Sequence, residues 1–86
     1  TGSKEGKIAA AKALGASDDQ SSIDLLLRFI DDADDDVVFA ACESLRKVGS
    51  EHDTADLLAR MQKIPEDRQA IRDEIGKTVQ ELHHRP

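Results

Sequence analysis

The sequence predicts an all-α fold: an α–α superhelix, or solenoid, of about two repeats with a C-terminal capping helix. Three observations carry this. One apolar pattern occurs twice, 31 residues apart: Ile8-Ala9-Ala10-Ala11-Lys12-Ala13-Leu14 is matched by Phe39-Ala40-Ala41-Cys42-Glu43-Ser44-Leu45, and Ile23, Leu26, Leu27 and Ile30 by Thr54, Leu57, Leu58 and Met61. A helix pair of this length cannot bury its own apolar face and must stack on a neighbour. Composition agrees, since 38% hydrophobic and 35% charged residues with two Phe, no Trp and no Tyr lack the aromatic and β-branched runs of a sheet protein. Finally, Gly and Asp fall where such helices must stop and start.

The elements follow in order. A first helix runs from Lys4 to Leu14 and stops at Gly15. Asp18, Asp19 or Ser21 can cap a second, whose apolar stripe is Ile23, Leu26, Leu27 and Ile30. After an acidic loop, Asp34, Asp35 or Asp36 caps a third helix from Val37 through Leu45 to Val48, ended by Gly49. A fourth starts near Asp53 or Thr54 and passes Leu57, Leu58 and Met61, with Pro65 forcing its exit and standing just ahead of a fifth. That fifth helix sets Ile71, Ile75, Thr78, Val79 and Leu82 on one stripe. The repeats therefore span about residues 4–33 and 34–64, with the capping helix at about 66–84, all in one domain of residues 4–86. Thr1-Gly2-Ser3 reads as a cloning remnant and is set aside.

Apolar width orders the helices in space. In the third, Val37, Val38, Ala41, Cys42, Leu45 and Val48 cover about half the circumference at 100° per residue, so it should be central. The fifth has one narrow stripe with polar flanks, as expected where a stack ends against water. The first is ringed by Ala9, Ala10, Ala11 and Ala13, which suits a further helix upstream and makes this chain either a monomer or the C-terminal piece of a longer solenoid.

Charge and cysteine content narrow the function. A formal net charge of -6 argues against nucleic-acid binding, which rests on clustered Lys and Arg, and points to a protein partner that is basic or neutral. No apolar run approaches the ~20 residues of a membrane span. The single Cys42 forms no internal disulfide, as in a reducing, cytoplasmic setting.

The string Ile8-Ala9-Ala10-Ala11-Lys12-Ala13-Leu14-Gly15, followed by Asp18-Asp19, Ile23, Leu25-Leu26-Leu27, Phe29-Ile30-Asp31 and Asp34-Asp35-Asp36-Val37, resembles the HEAT-like repeat of the phycobilisome-lyase type over about residues 4–64. The resemblance implies a binding scaffold, or alternatively a subunit or regulatory domain of an enzyme related to bilin lyases. Val38 replaces the Arg usual after the loop Val, which removes the residue that an inter-repeat Arg–Asp ladder of that family would use, and the usual Pro after the first Gly is absent.

Candidate site residues are few. Leu25 and Phe29, one turn apart and opposite the core stripe of the second helix, correspond to Asp56 and Arg60 in the next repeat. An apolar pair on one repeat and a polar pair on the other suggests a partner-binding patch of Asp24, Leu25, Arg28 and Phe29, the alternative being internal packing. Residues 17–36 hold eight Asp against one Arg, so Asp31, Asp32, Asp34, Asp35 and Asp36 form an acidic patch that reads as a capped, solvated turn or as a docking site for Lys or Arg. Asp32, Asp34, Asp36 and Glu43 match calcium-loop positions 1, 3, 5 and 12, but Val37 stands where the loop needs Gly, so no metal is expected. Cys42 reads as core, His52 as surface, and His83-His84 point about 100° apart, poor geometry for shared ligation. The pairs Asp24/Arg28, Glu43/Lys47, Asp56/Arg60 and Glu81/Arg85 sit at helical spacing for surface ion pairs. With no catalytic constellation and no cofactor motif, the expected function is a non-catalytic protein-interaction or scaffold module.

Overall fold

The computed structural model describes residues 3–84. Five α-helices follow one another: α1 (Lys4–Leu14), α2 (Gln20–Phe29), α3 (Asp35–Val48), α4 (Thr54–Gln62) and α5 (Gln69–His83), with a single 3₁₀ turn at Glu51–Asp53 before α4. The described residues contain no strand. None of these helices is long and apolar enough to cross a membrane.

Local chemistry sets the boundaries. Asp34 caps α3, its carboxylate accepting from the Asp36 amide at 2.9 Å. Asp19 precedes α2 but gives no side chain to its amides. The start of α4 is more elaborate than the sequence reading has it: Ser50 and Asp53 exchange side-chain and backbone hydrogen bonds in a capping box, and Asp53 is buried. Ser3, set aside in the sequence reading, takes part in the fold as the cap of α1, its Oγ accepting from the Gly6 amide at 3.2 Å. Pro65 does not abut α5; a turn closed by the Arg68 amide on the Pro65 carbonyl at 3.0 Å intervenes, and α5 begins at Gln69.

The helices form two layers. α1, α3 and α5 pack side by side in one, while α2 and α4 form the other, each packing chiefly on the first helix of the following unit, α3 and α5 respectively. α3 is thus central, touching α1, α2 and α5, and seven of its residues are buried. α5 occupies the place of a third unit's first helix. The molecule is a slab, 36 × 31 × 15 Å. Its core joins Ile23, Leu26, Leu27 and Ile30 of α2 and its end with Val38, Ala41, Cys42 and Leu45 of α3, Leu57 of α4, and Ile71, Ile75 and Leu82 of α5.

The contact of α1 with α3 shows why small residues recur there. The last carbonyls of a helix lack intrahelical partners. At the end of α1 the Gly15, Ala16 and Ser17 amides serve the carbonyls of Lys12, Ala13 and Leu14, and the buried Ser44 hydroxyl of α3 donates to that of Ala11 at 2.7 Å. Gly15 is needed for this approach and not for its backbone, because its φ of -67° is ordinary, whereas a Cβ built there would lie 2.6 Å from Ser44 Oγ and 2.9 Å from Ser44 Cβ.

The second layer departs from strict repetition. Leu27 is buried at 4% exposure, but Leu58, 31 residues on, is 39% exposed. α4 turns Leu57 and Met61 onto the core instead, joined by Ile64 from the turn that follows it, which leaves Leu58 at the edge and draws Arg60 to a half-buried position.

Candidate functional site

On α2 the patch divides. Asp24 is exposed and accepts from Gln20 Nε2 at 2.9 Å, not from Arg28; Arg28 is exposed and makes no ion pair within the described residues. Leu25 is 44% exposed. Phe29 is only half-buried and lies against the core, so it and Leu25 do not form one outward apolar pair. Phe29 is a packing residue with an exposed edge.

The acidic run is tied to cations of this same chain. Asp31 accepts from Arg60, Asp32 from Lys7 at 2.8 Å, and Asp35 from Arg68 Nη2 at 2.6 Å. Lys4 lies 2.6 Å from Asp36 and 3.8 Å from Asp34. A ladder between repeats therefore exists, built by Arg60 and Arg68 instead of a residue beside the loop Val. Asp31, Asp35 and Asp36 keep 53–59% of their side chains in water, which screens their pairs with Arg60, Arg68 and Lys4. Asp32 is different, with 14% exposure; the Lys7 hydrogen bond, joined by the Asp34 amide at 2.8 Å, holds its carboxyl below the ordinary value. These five carboxylates tie the loop to α1, to α4 and to the α4–α5 turn, a use of charge that neither sequence expectation, a solvated turn or a docking site for Lys or Arg, includes.

Among the described residues no three His, Cys, Asp or Glu side chains converge to hold a metal ion. The His83 and His84 rings stand edge to face at 5.9 Å, and His83 Nδ1 faces Glu51 at 3.5 Å. Cys42 is fully buried, and desolvation pushes its thiol up to about 11. Of the helical-spacing pairs, Asp56–Arg60 forms at 2.6 Å, Glu43 and Lys47 do not meet, and Glu81/Arg85 falls outside the described residues. Arg46 instead reaches from α3 to Glu74 at 2.6 Å and Thr78 at 3.1 Å on α5.

A cleft of about 290 Å³, absent from the sequence reading, opens among Asp31, Ala33, Arg60, Lys63, Ile64, Pro65 and Arg68. Its signal was present in the chain: three cations within nine residues around Pro65, in a protein of net charge -6. Periodicity misses it because its wall spans a helix end, a turn and a loop from the previous unit.

Two stacked helix pairs with a fifth helix completing the row, joined by short loops and cross-linked unit to unit, make this an α-solenoid, a fold whose units contact only their neighbours. The chain belongs to the HEAT repeat family, whose model matches residues 1–76. No curated protein and no solved structure matches it. Repeats of this family generally mediate protein–protein interaction.

Proposed function

We propose that this chain is a non-catalytic protein-interaction module that meets its partner on the outer side of α2. The observation that carries the reading is Leu25, a leucine 44% exposed on a helix whose other large aliphatic side chains, Ile23, Leu26 and Leu27, are at least 94% buried. Beside it Arg28 has no ion-pair partner within the described residues and Asp24 is held only by Gln20, so an apolar anchor is flanked by charges free to select a complementary surface. The internal pairing of the acidic run moves the weight of the proposal from the loop to this helix. The phycobilisome-lyase kinship and an enzyme-linked role rest on the residue resemblance alone.

The test is crosslinking in the source cell with a photoreactive residue at position 25, compared with one at Lys77, an exposed position on α5. A discrete adduct from position 25 that is absent from position 77 and lost on Arg28→Glu supports the reading. Equal labelling from both positions sinks it.

A further inference from the structure

We propose that the cleft beside Pro65 recognises the free C-terminal carboxylate of a partner polypeptide whose last side chain is aliphatic. This goes beyond the α2 surface and stands apart from it. The cleft draws on three stretches: Asp31 and Ala33 from the loop after α2, Arg60 to Pro65 from the end of α4, and Arg68 from the turn before α5. Ala33, Ile64 and Pro65 give it an apolar floor, and Arg60, Lys63 and Arg68 give it a cationic wall with Asp31 as the one lining carboxylate.

Counting donors shows what the wall lacks. Arg60 uses Nε on Asp56 at 2.6 Å and Nη1 on Asp31, leaving Nη2 with no acceptor in the described residues. Arg68 uses Nε at 3.1 Å and Nη2 at 2.6 Å on Asp35, with Nη2 also 3.4 Å from the Asp32 carbonyl, leaving Nη1 unused. The Lys63 amide closes the end of α4 on the Arg60 carbonyl at 3.1 Å, while its ammonium has no hydrogen-bond or ion-pair partner among the described residues. None of these groups can accept a hydrogen bond, so what completes them is an acceptor. Both guanidinium planes are already oriented by carboxylates behind them, which reduces the ordering that binding would require.

The end of α4 would oppose an anion through its exposed carbonyls. Arg72 of α5 offsets this, donating to the Ile64 carbonyl at 2.8 Å and lying 3.4 Å from that of Met61. The neighbouring Asp31, Asp35 and Asp56 limit how much negative charge the site accepts, which favours a carboxylate monoanion over a phosphate dianion. An aliphatic C-terminal residue supplies both requirements within one residue, a planar carboxylate for the wall and an apolar side chain for the floor. An internal Glu carries its charge at the end of its own stem and leaves the floor uncovered.

The experiment is a backbone amide NMR titration of the whole chain with acetyl-Ala-Ala-Leu as the free acid, and in parallel with its C-terminal amide. A third arm uses an amidated peptide carrying phosphoserine. The expected result is saturable shifts at Ala33, Lys63, Ile64 and Arg68 with the free acid. Binding should weaken at least ~10-fold for the amide and for Lys63→Glu, and survive in Lys63→Arg, with the rest of the spectrum unchanged. No saturable shift at these four residues overturns the proposal. So does an amide that binds as well as the acid, a phosphopeptide that binds as well or better, or binding indifferent to Lys63→Glu. None of these results bears on position 25, so this inference and the α2 reading fail separately.

Discussion

Replacing Gly15 with Ala tests the closest approach in the fold. The backbone at Gly15 has φ -67° and ψ -8°, which Ala adopts freely, so local conformational preference alone would favour the substitution by about 0.4–1 kcal/mol. Packing opposes it. The new methyl would lie 2.6 Å from Ser44 Oγ and 2.9 Å from Ser44 Cβ, and a Cβ cannot swing aside as the end of a flexible side chain can. Overpacking of this kind costs about 1–3 kcal/mol. Displacing Ser44 also strains its buried hydrogen bond to the Ala11 carbonyl, worth about 0.5–1.5 kcal/mol. The net expectation is a destabilisation of about 1–3 kcal/mol, or a Tm lower by about 5–20 °C in a domain of this size. Gly76 is the internal control: it lies within α5 with nothing within 4 Å of a built Cβ, so Gly76→Ala should stabilise by about 0.5–1 kcal/mol. Urea and thermal unfolding followed by circular dichroism at 222 nm measure both. A Gly15→Ala protein as stable as the parent would show that α1 and α3 do not meet through this notch.

Other expectations follow from burial and ionisation. Phe29→Ala should cost about 1–3 kcal/mol, less than a fully buried Phe, while Leu25→Ser should stay within about 0.5 kcal/mol of the parent in urea melts; equal effects would contradict the division of the α2 patch. The Cys42 thiol, pushed up to about 11 by burial, should resist a thiol reagent at pH 8 in the folded protein and react at once in denaturant. Because the unfolded thiol ionises near 9.0 and the folded one near 11, its contribution to stability is complete below pH 9 and declines by on the order of 2 kcal/mol as pH rises to 11, a decline that Cys42→Ala should remove. Asp32 carries the opposite sign: its folded carboxyl sits below the ordinary 3.8, chiefly through the Lys7 hydrogen bond, so the stability it adds is present above pH 3.8 and lost as pH falls through the folded value. Lys7→Met should shrink the difference in unfolding midpoint between pH 6 and pH 3, and an unchanged difference would refute the pairing.

Fold and site were legible in unequal measure. Helix limits at Leu14 and Val48, and a cap among Asp34, Asp35 and Asp36, could be read because Gly49 and the aspartates act through chemistry within a few residues, whereas Gly15 marks the right end for a distant reason, the approach of Ser44 from α3. The burial of α3 was readable because the width of its apolar arc reports the number of neighbours. Leu58 defeated the same logic: correspondence with Leu27 predicts a core residue, but α4 turns Leu57 and Met61 inward where it packs on α5, and no local pattern encodes that contact. Likewise the sequence displays five aspartates between 31 and 36 but conceals that their counter-charges arrive from Lys4, Lys7, Arg60 and Arg68. A site assembled from a loop and the next unit's helix end, as the Pro65 cleft is, has no period to betray it.

The links between units also bear on how quickly the chain can find this arrangement. Among the described residues the widest polar link, from Arg68 to the Asp32 carbonyl, spans 36 residues; the others that join units span 25 to 35, save those from Arg72 to the end of α4, which span 8 and 11. Loop-closure entropy grows only as the logarithm of loop length, so no link closes a loop at more than a modest cost and none waits on the meeting of distant chain ends. Links limited to neighbouring units favour fast folding, as local contacts do in helical domains generally. Order can begin at α1–α3 or at α3–α5 and spread in either direction, with α3 as the template common to both routes.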